Sequence, residues 1–142
     1  MKRELLIVDD EEEIRGMLDR HFRLLGYDVE LAANGKEALR VLQRRAIRVV
    51  ISDILMPEMD GIELLSEVRA QYPMTRVIMI TGYVTIDNVL ACMRKQADTC
   101  IFKPLSDLGE LDSAVEMAFE HLEHWERKLL ELQGMKTASN LV

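Results

Sequence analysis

The chain has 142 residues, 49% hydrophobic and 30% charged, a composition that suits one soluble domain whose core needs no metal or disulfide staple. A net charge of −7 and a pI near 5.0 argue against a nucleic-acid surface. No apolar run approaches membrane length, and the first strand begins too soon after Met1 to leave room for a signal peptide. Cys92 and Cys100 form no CxxC pair and no disulfide ladder, so reduced thiols in a cytoplasm are expected, both acting as small apolar fillers.

In chain order, Leu5-Leu6-Ile7-Val8 is an apolar run that ends at Asp9-Asp10-Glu11. Ile14, Met17, Leu18, Phe22 and Leu25 then recur at helical spacing, with Glu11 to Glu13 at the helix start, where the dipole favours anions, and Gly26 at its close. Tyr27 to Leu31 alternates strictly, as a strand with one partly wet face at a sheet edge would. Asn34-Gly35 opens a second helix carrying Ala38, Leu39 and Leu42. Val49-Val50-Ile51-Ser52 ends at Asp53, and Asp60 with Glu63 forms a capping box for a third helix that Pro73 stops. Val77 to Ile80 ends at Thr81-Gly82; Thr85 caps a fourth helix with Val89, Leu90 and Met93. Cys100-Ile101-Phe102 ends at Lys103-Pro104, and Ser106 caps the last helix.

Runs this uniformly apolar suit strands buried on both faces. Strand and helix alternate five times, which predicts an α/β fold: a doubly wound, five-stranded parallel sheet of the flavodoxin-like kind with an extended C-terminal helix. With the alternating second strand at an edge, the order is 2-1-3-4-5, and the crevice between strands one and three becomes the topological switch point. Asp9, Asp10, Asp53, Thr81 and Lys103 all lie at carboxyl ends of strands, so they converge there. Three crowded carboxylates repel one another unless a cation joins them. Mg2+ fits because it prefers a few carboxylates plus water and phosphate oxygens. A carboxylate nucleophile, a cation and a hydroxyl donor are what formation of an aspartyl-phosphate needs.

The joint set Asp9-Asp10-Glu11, Asp53 with Met56-Pro57 and Asp60-Gly61, Thr81-Gly82 and Lys103-Pro104 resembles the receiver domain of two-component response regulators, over residues 4 to about 122. The resemblance implies that Asp53 is the phosphoacceptor for a histidine kinase or histidine phosphotransfer protein, with self-catalysed loading and hydrolysis rather than an enzyme's turnover of a separate substrate. It implies Mg2+ held by Asp10, Asp53 and the carbonyl of Leu55, with Asp9 acting through water. Thr81, Gly82 and Lys103 would hold the phosphoryl oxygens, and the Lys103-Pro104 bond is typically cis in the family. Three residues before the lysine the family usually carries an aromatic that reports the state of the threonine; here Cys100 stands there, so a switch built on Thr81 and Cys100 must read out differently.

Other readings fit less well. A small Mg2+-dependent aspartate-nucleophile phosphatase would carry DxD after the first strand and usually a cap insertion. A flavodoxin-like electron carrier would need a phosphate-cradling loop where three acids stand. A receiver kept only as a dimerisation scaffold would not need the complete acidic set. The remaining expectation concerns the last helix, read from Ser106 to Gln133. Leu108, Leu111, Val115, Ala118, Leu122, Trp125, Leu129 and Leu132 follow an a/d pattern beyond the domain's own needs. The division is therefore a receiver at 1–122 and a helical extension and tail at 123–142, with Gly134 to Val142 unanchored. Leu122, Trp125, Leu129 and Leu132 form a seam for a homodimer; no membrane partner is expected, and the output partner is unknown.

Overall fold

The computed structural model describes residues 2–141, with side chains over residues 2–135. Five strands alternate with five helices: β1 (Glu4–Val8), α1 (Glu12–Leu24), β2 (Asp28–Ala32), α2 (Gly35–Arg44), β3 (Val49–Asp53), α3 (Gly61–Gln71), β4 (Arg76–Thr81), α4 (Ile86–Arg94), β5 (Thr99–Phe102) and α5 (Gly109–Leu141). All pairings are parallel and the order is β2-β1-β3-β4-β5, as expected. This is the flavodoxin-like, doubly wound fold.

The apolar runs are strands with two covered faces. Leu5 and Ile7 of β1 point into one cluster with Leu18 and Phe22 of α1 and Leu111, Val115 and Phe119 of α5. Leu6 and Val8 point the other way, onto Ala38 and Val41 of α2 and Leu64, Leu65 and Val68 of α3. A strand's period of two thus feeds both layers at once. β2 lies at an edge, where its alternation leaves Glu30 half-exposed.

Caps follow the local chemistry in most places. Asn34 accepts from the Glu37 N–H at 2.9 Å, Asp60 from the Glu63 N–H at 2.8 Å, and Thr85 from the Asn88 N–H at 3.1 Å. Gly26 sits at φ +94° after α1, its N–H bonded to the Arg23 carbonyl, the left-handed position that glycine fills without steric cost. At α5 the expectation fails. The helix starts at Gly109, three residues past Ser106, and the Asp107 carboxylate takes the Gly109 N–H at 2.8 Å. A cap must adjoin the first turn to reach its free N–H groups, and Ser106 lies too far upstream.

Two further corrections concern α5. The helix does not end at Gln133 but runs through Gly134 to Leu141. Gly134 is not among the positive-φ glycines, so it makes no left-handed cap and the helix passes it. Leu122, expected in an intermolecular seam, is buried in its own domain's core beside Leu111, Val115, Ala118 and Phe119. Trp125, Leu129 and Leu132 are each about half exposed or more.

The first turn beyond the core is tied down by charge. Arg3, at the start of the chain, reaches Glu116 at 2.7 Å and Glu123 at 2.9 Å, while its guanidinium lies 5.4 Å from the Phe119 ring centroid. Tyr27 donates to Glu116 at 3.1 Å and stacks on Phe119. These contacts hold α5 against the sheet to about Glu123; beyond that residue its large apolar side chains, Trp125, Leu129, Leu130 and Leu132, are largely exposed.

Candidate functional site

Asp9 and Asp10 follow β1 directly, Asp53 is the last residue of β3, Thr81 the last of β4, and Lys103 follows β5. Because the strands are parallel, their carboxyl ends lie on one edge and these residues meet there. Oxygens of Asp9, Asp10 and Asp53 lie within 4.8 Å of one another, the one cluster of metal-ligating side chains among the described residues. Asp9 is fully buried, Asp53 nearly so, and Asp10 is exposed.

Lys103 closes the group. Its Nζ lies 2.9 Å from Asp53 Oδ2, 3.1 Å from Asp9 Oδ2 and 3.0 Å from Glu11 Oε1, and the side chain is only 10% exposed. The Lys103-Pro104 bond is cis. Glu11 is the residue that sequence reasoning placed elsewhere: its acidity was explained by the helix dipole, yet its carboxylate shares the ammonium. Its backbone N–H also donates to Asp9 Oδ1 at 2.9 Å. The Asp9 carbonyl accepts from Arg15 at 2.7 Å, so both ends of Asp9 are fixed. Asp53 Oδ1 accepts from the Ile54 N–H at 2.7 Å, leaving Oδ2 to face Lys103.

Electrostatics follow from burial. Burial raises the Asp9 pKa above the usual carboxylate range; the Glu11 N–H opposes this, the neighbouring Asp53 charge adds to it, and Lys103 offsets only part. At Lys103 burial works toward the neutral form, but the hydrogen bonds to Asp53 and Glu11 and the charges of Asp53 and Asp9 outweigh it, and its pKa is raised. Three carboxylates, Asp9, Glu11 and Asp53, thus share one ammonium, with the Asp10 carboxylate close by. The donors are all hard oxygens, closely set and short of positive charge, which fits a divalent cation of the Mg2+ type.

Thr81 is fully buried, and its Oγ1 accepts from the Tyr83 N–H at 2.9 Å. Its carbonyl accepts from the Lys103 N–H at 2.8 Å, which ties the ends of β4 and β5 together. Gly82 packs loosely: a Cβ there would meet Lys103 at 3.8 Å, an ordinary contact. Gly61 is the opposite case. Its N–H donates to the Ile54 carbonyl at 2.8 Å, and a Cβ on it would lie 2.0 Å from the Asp53 carbonyl oxygen. Sequence reasoning treated Gly61 only as part of a loop signature; the structure makes it the contact that lets α3 start hard against the Asp53 backbone. Leu55, two residues past Asp53, is about half exposed, and Cys100 lies on β5 opposite Met79.

A family model described as the response regulator receiver domain matches residues 5–116. The chain belongs to this family. Among relatives of the receiver are the regulatory protein AtoC of Escherichia coli, 39% identical over 93% of this chain and 26% of that protein, and the response regulator protein FleR of Pseudomonas aeruginosa, 34% identical over 99% and 32%. The receiver spans between a quarter and a half of the length of the curated relatives it matches. Similar solved structures include a CheY-like receiver domain protein from Methanospirillum hungatei (30% identity, TM-score 0.81, covering 87% of this chain and 99% of that one). Another is response regulator TrrA from Thermotoga maritima, solved with Mg2+-BeF (31% identity, TM-score 0.74, 82% and 98%). Among the described residues of this receiver, no helix is long and apolar enough to cross a membrane.

Proposed function

We propose that this receiver accepts a phosphoryl group on Asp53 from a histidine kinase or histidine phosphotransfer protein in the cytoplasm, and that it catalyses both its own loading and its own hydrolysis. The observation that carries this reading is the Asp53 Oδ2 oxygen, the one not held by the backbone, which accepts from Lys103 at 2.9 Å in a cleft lined by two further aspartates. That oxygen attacks phosphorus, a P–O bond forms, and the donor's imidazole leaves. Asp10, Asp53 and the Leu55 carbonyl would hold Mg2+, with Asp9 beside them completing the acidic set. The ion's role is to neutralise the carboxylates and the incoming phosphoryl oxygens. Lys103 then pairs with one phosphoryl oxygen. The Thr81 O–H turns from the Tyr83 carbonyl, 3.4 Å away, to donate to another phosphoryl oxygen, helped by the Gly82 backbone. That exchange moves the segment leading into α4, and Cys100 in place of an aromatic makes the readout a small-residue packing change.

Intact-mass measurement with acetyl phosphate tests this. Wild type with Mg2+ should gain one phosphoryl group; wild type with a chelator, and Asp53→Asn with Mg2+, should gain none. Equal uptake by wild type and Asp53→Asn would overturn the assignment.

The helix beyond residue 122 is the second part of the proposal: a receiver at 1–122 carries a helical extension through which two copies associate. The structure moves Leu122 out of the seam, so Trp125, Leu129 and Leu132 remain as its apolar members. Burying three such side chains contributes roughly 1.5–3 kcal/mol each before ordering costs, enough for a dimer in the micromolar range. Trp125→Glu with Leu129→Glu should convert a sedimenting dimer into a folded monomer. A wild-type monomer at tens of micromolar, or a dimer that survives both changes, would sink the seam.

A further inference from the structure

Two thiols eight positions apart in the chain meet on one face of the sheet. Cys92 lies on α4 and is buried; Cys100 lies on β5 and is half-buried. Along β5, side chains alternate between faces. Ile101 enters the core under α1 and α5, whereas Cys100 packs against the opposite cluster, the one that contains Cys92. The link between them is tight. α4 ends at Arg94, Gln96 turns in the left-handed region at φ 63°, and the Ala97 N–H returns to the Cys92 carbonyl at 2.9 Å. The chain then enters β5 beneath the helix it has just left.

We propose that Cys92 and Cys100 form a reversible disulfide under hydrogen peroxide, a redox staple between α4 and β5. The thiol of Cys100 hydrogen-bonds to Cys92, which lowers the Cys92 pKa and raises that of Cys100. Of the two, Cys92 is therefore the better nucleophile, and being buried it admits only a small oxidant. Its sulfur attacks one peroxide oxygen, the O–O bond breaks, and a sulfenic acid and water result. The Cys100 thiol then attacks the Cys92 sulfur: the S–S bond forms, the S–O bond breaks, and the departing hydroxide takes the Cys100 proton as a second water. Two thiols and one peroxide give one disulfide and two waters. The loop closed is short, so the entropic cost of closure is small.

The position gives the bond its consequence. Cys100 pairs with Met79 on β4, two residues before Thr81, and α4 is the helix that follows the Thr81 segment. A covalent tie there holds α4 in place whatever happens at Asp53; this consequence, unlike the bond itself, rests on the proposed phosphoacceptor role.

The full chain should be treated with hydrogen peroxide, freed of excess peroxide, unfolded in the presence of dimedone, and mapped without reductant. A Cys92–Cys100 cross-linked peptide within one chain, reversed by dithiothreitol, is expected in wild type. Cys100→Ser should instead leave Cys92 as a sulfenic acid, trapped as a dimedone adduct once the protein is unfolded. Dimedone or sulfinic adducts in wild type with no cross-linked peptide, or cross-links only between chains, would overturn the staple. Hydrogen exchange of residues 86–94 with Mg2+ and beryllofluoride separates the two proposals. The reduced protein should change its exchange and the oxidised protein should not. A response that persists after complete oxidation overturns the staple's hold on α4, whereas a reduced protein that does not respond counts against the phosphoacceptor reading and leaves the cross-link to be judged by mass alone.

Discussion

Without divalent metal, Lys103→Ala should lower folding stability at neutral pH by about 3 kcal/mol and tighten Mg2+ binding by on the order of tenfold. Lys103 is the single cation paired with the carboxylates of Asp9, Glu11 and Asp53 among the described residues, and its side chain and both aspartates are nearly or fully buried. Removing one partner of a buried pair leaves uncompensated charge, which costs more than the pair itself contributes. The same deletion removes a positive charge beside the cation cleft, so the two effects have opposite signs. The pH dependence follows from Asp9, whose pKa burial already raises. A carboxyl whose folded pKa lies above its unfolded value keeps its proton longer in the native state, so stability falls as pH rises past the unfolded value of about 4. Losing Lys103 widens that window. The loss should therefore be small near pH 4, full at neutral pH, and recovered by Mg2+. Urea unfolding at both pH values, with and without Mg2+, reads all three; a loss of equal size at both, or weaker Mg2+ binding, would contradict the role given to Lys103.

Gly61→Ala should be the most damaging single-methyl change in the molecule. The added Cβ would lie 2.0 Å from the Asp53 carbonyl oxygen and 2.8 Å from Met79 Cε. Met79 can rotate away, but the Asp53 carbonyl belongs to a central strand paired to β4 and cannot yield without moving β3. The Gly61 N–H bond to the Ile54 carbonyl would also stretch. Overpacking of this kind costs about 3 kcal/mol. Because the displaced residue is the proposed phosphoacceptor, uptake from acetyl phosphate should slow by on the order of a hundredfold. A folded Gly61→Ala variant within about 0.5 kcal/mol of wild type would show that α3 can shift freely, and the close approach would lose its meaning.

Much of this was legible in the residues. Four apolar runs ending in polar residues announced buried parallel strands whose carboxyl ends share an edge, and the alternation of Tyr27 to Leu31 put β2 at the rim. From those two facts the convergence of Asp9, Asp10, Asp53, Thr81 and Lys103 followed without any contact being known. Periodicity records which faces are buried, and topology rules convert that record into an arrangement.

Partners across the fold were not legible. Nothing local distinguishes Glu11 as a dipole-matching acid from Glu11 as a ligand of Lys103; only the strand-end geometry brings its carboxylate within 3.0 Å of that ammonium. The a/d pattern of α5 is unbroken at Leu122, because the same spacing serves a helix packed on its own sheet and one packed on a second chain. Where the sheet ends decides which of these each residue does. Ser106 and Asp107 are both good caps by type, and the loop after the cis bond chose Asp107. Cys92 and Cys100 look like unrelated fillers eight residues apart until the turn at Gln96 folds β5 under α4. Sequence by itself determined which residues are buried and at which end of the sheet the chemistry gathers, since both depend on short-range periodicity. Tertiary structure alone decided which side chains touch, since that depends on where loops return the chain, which no local pattern encodes.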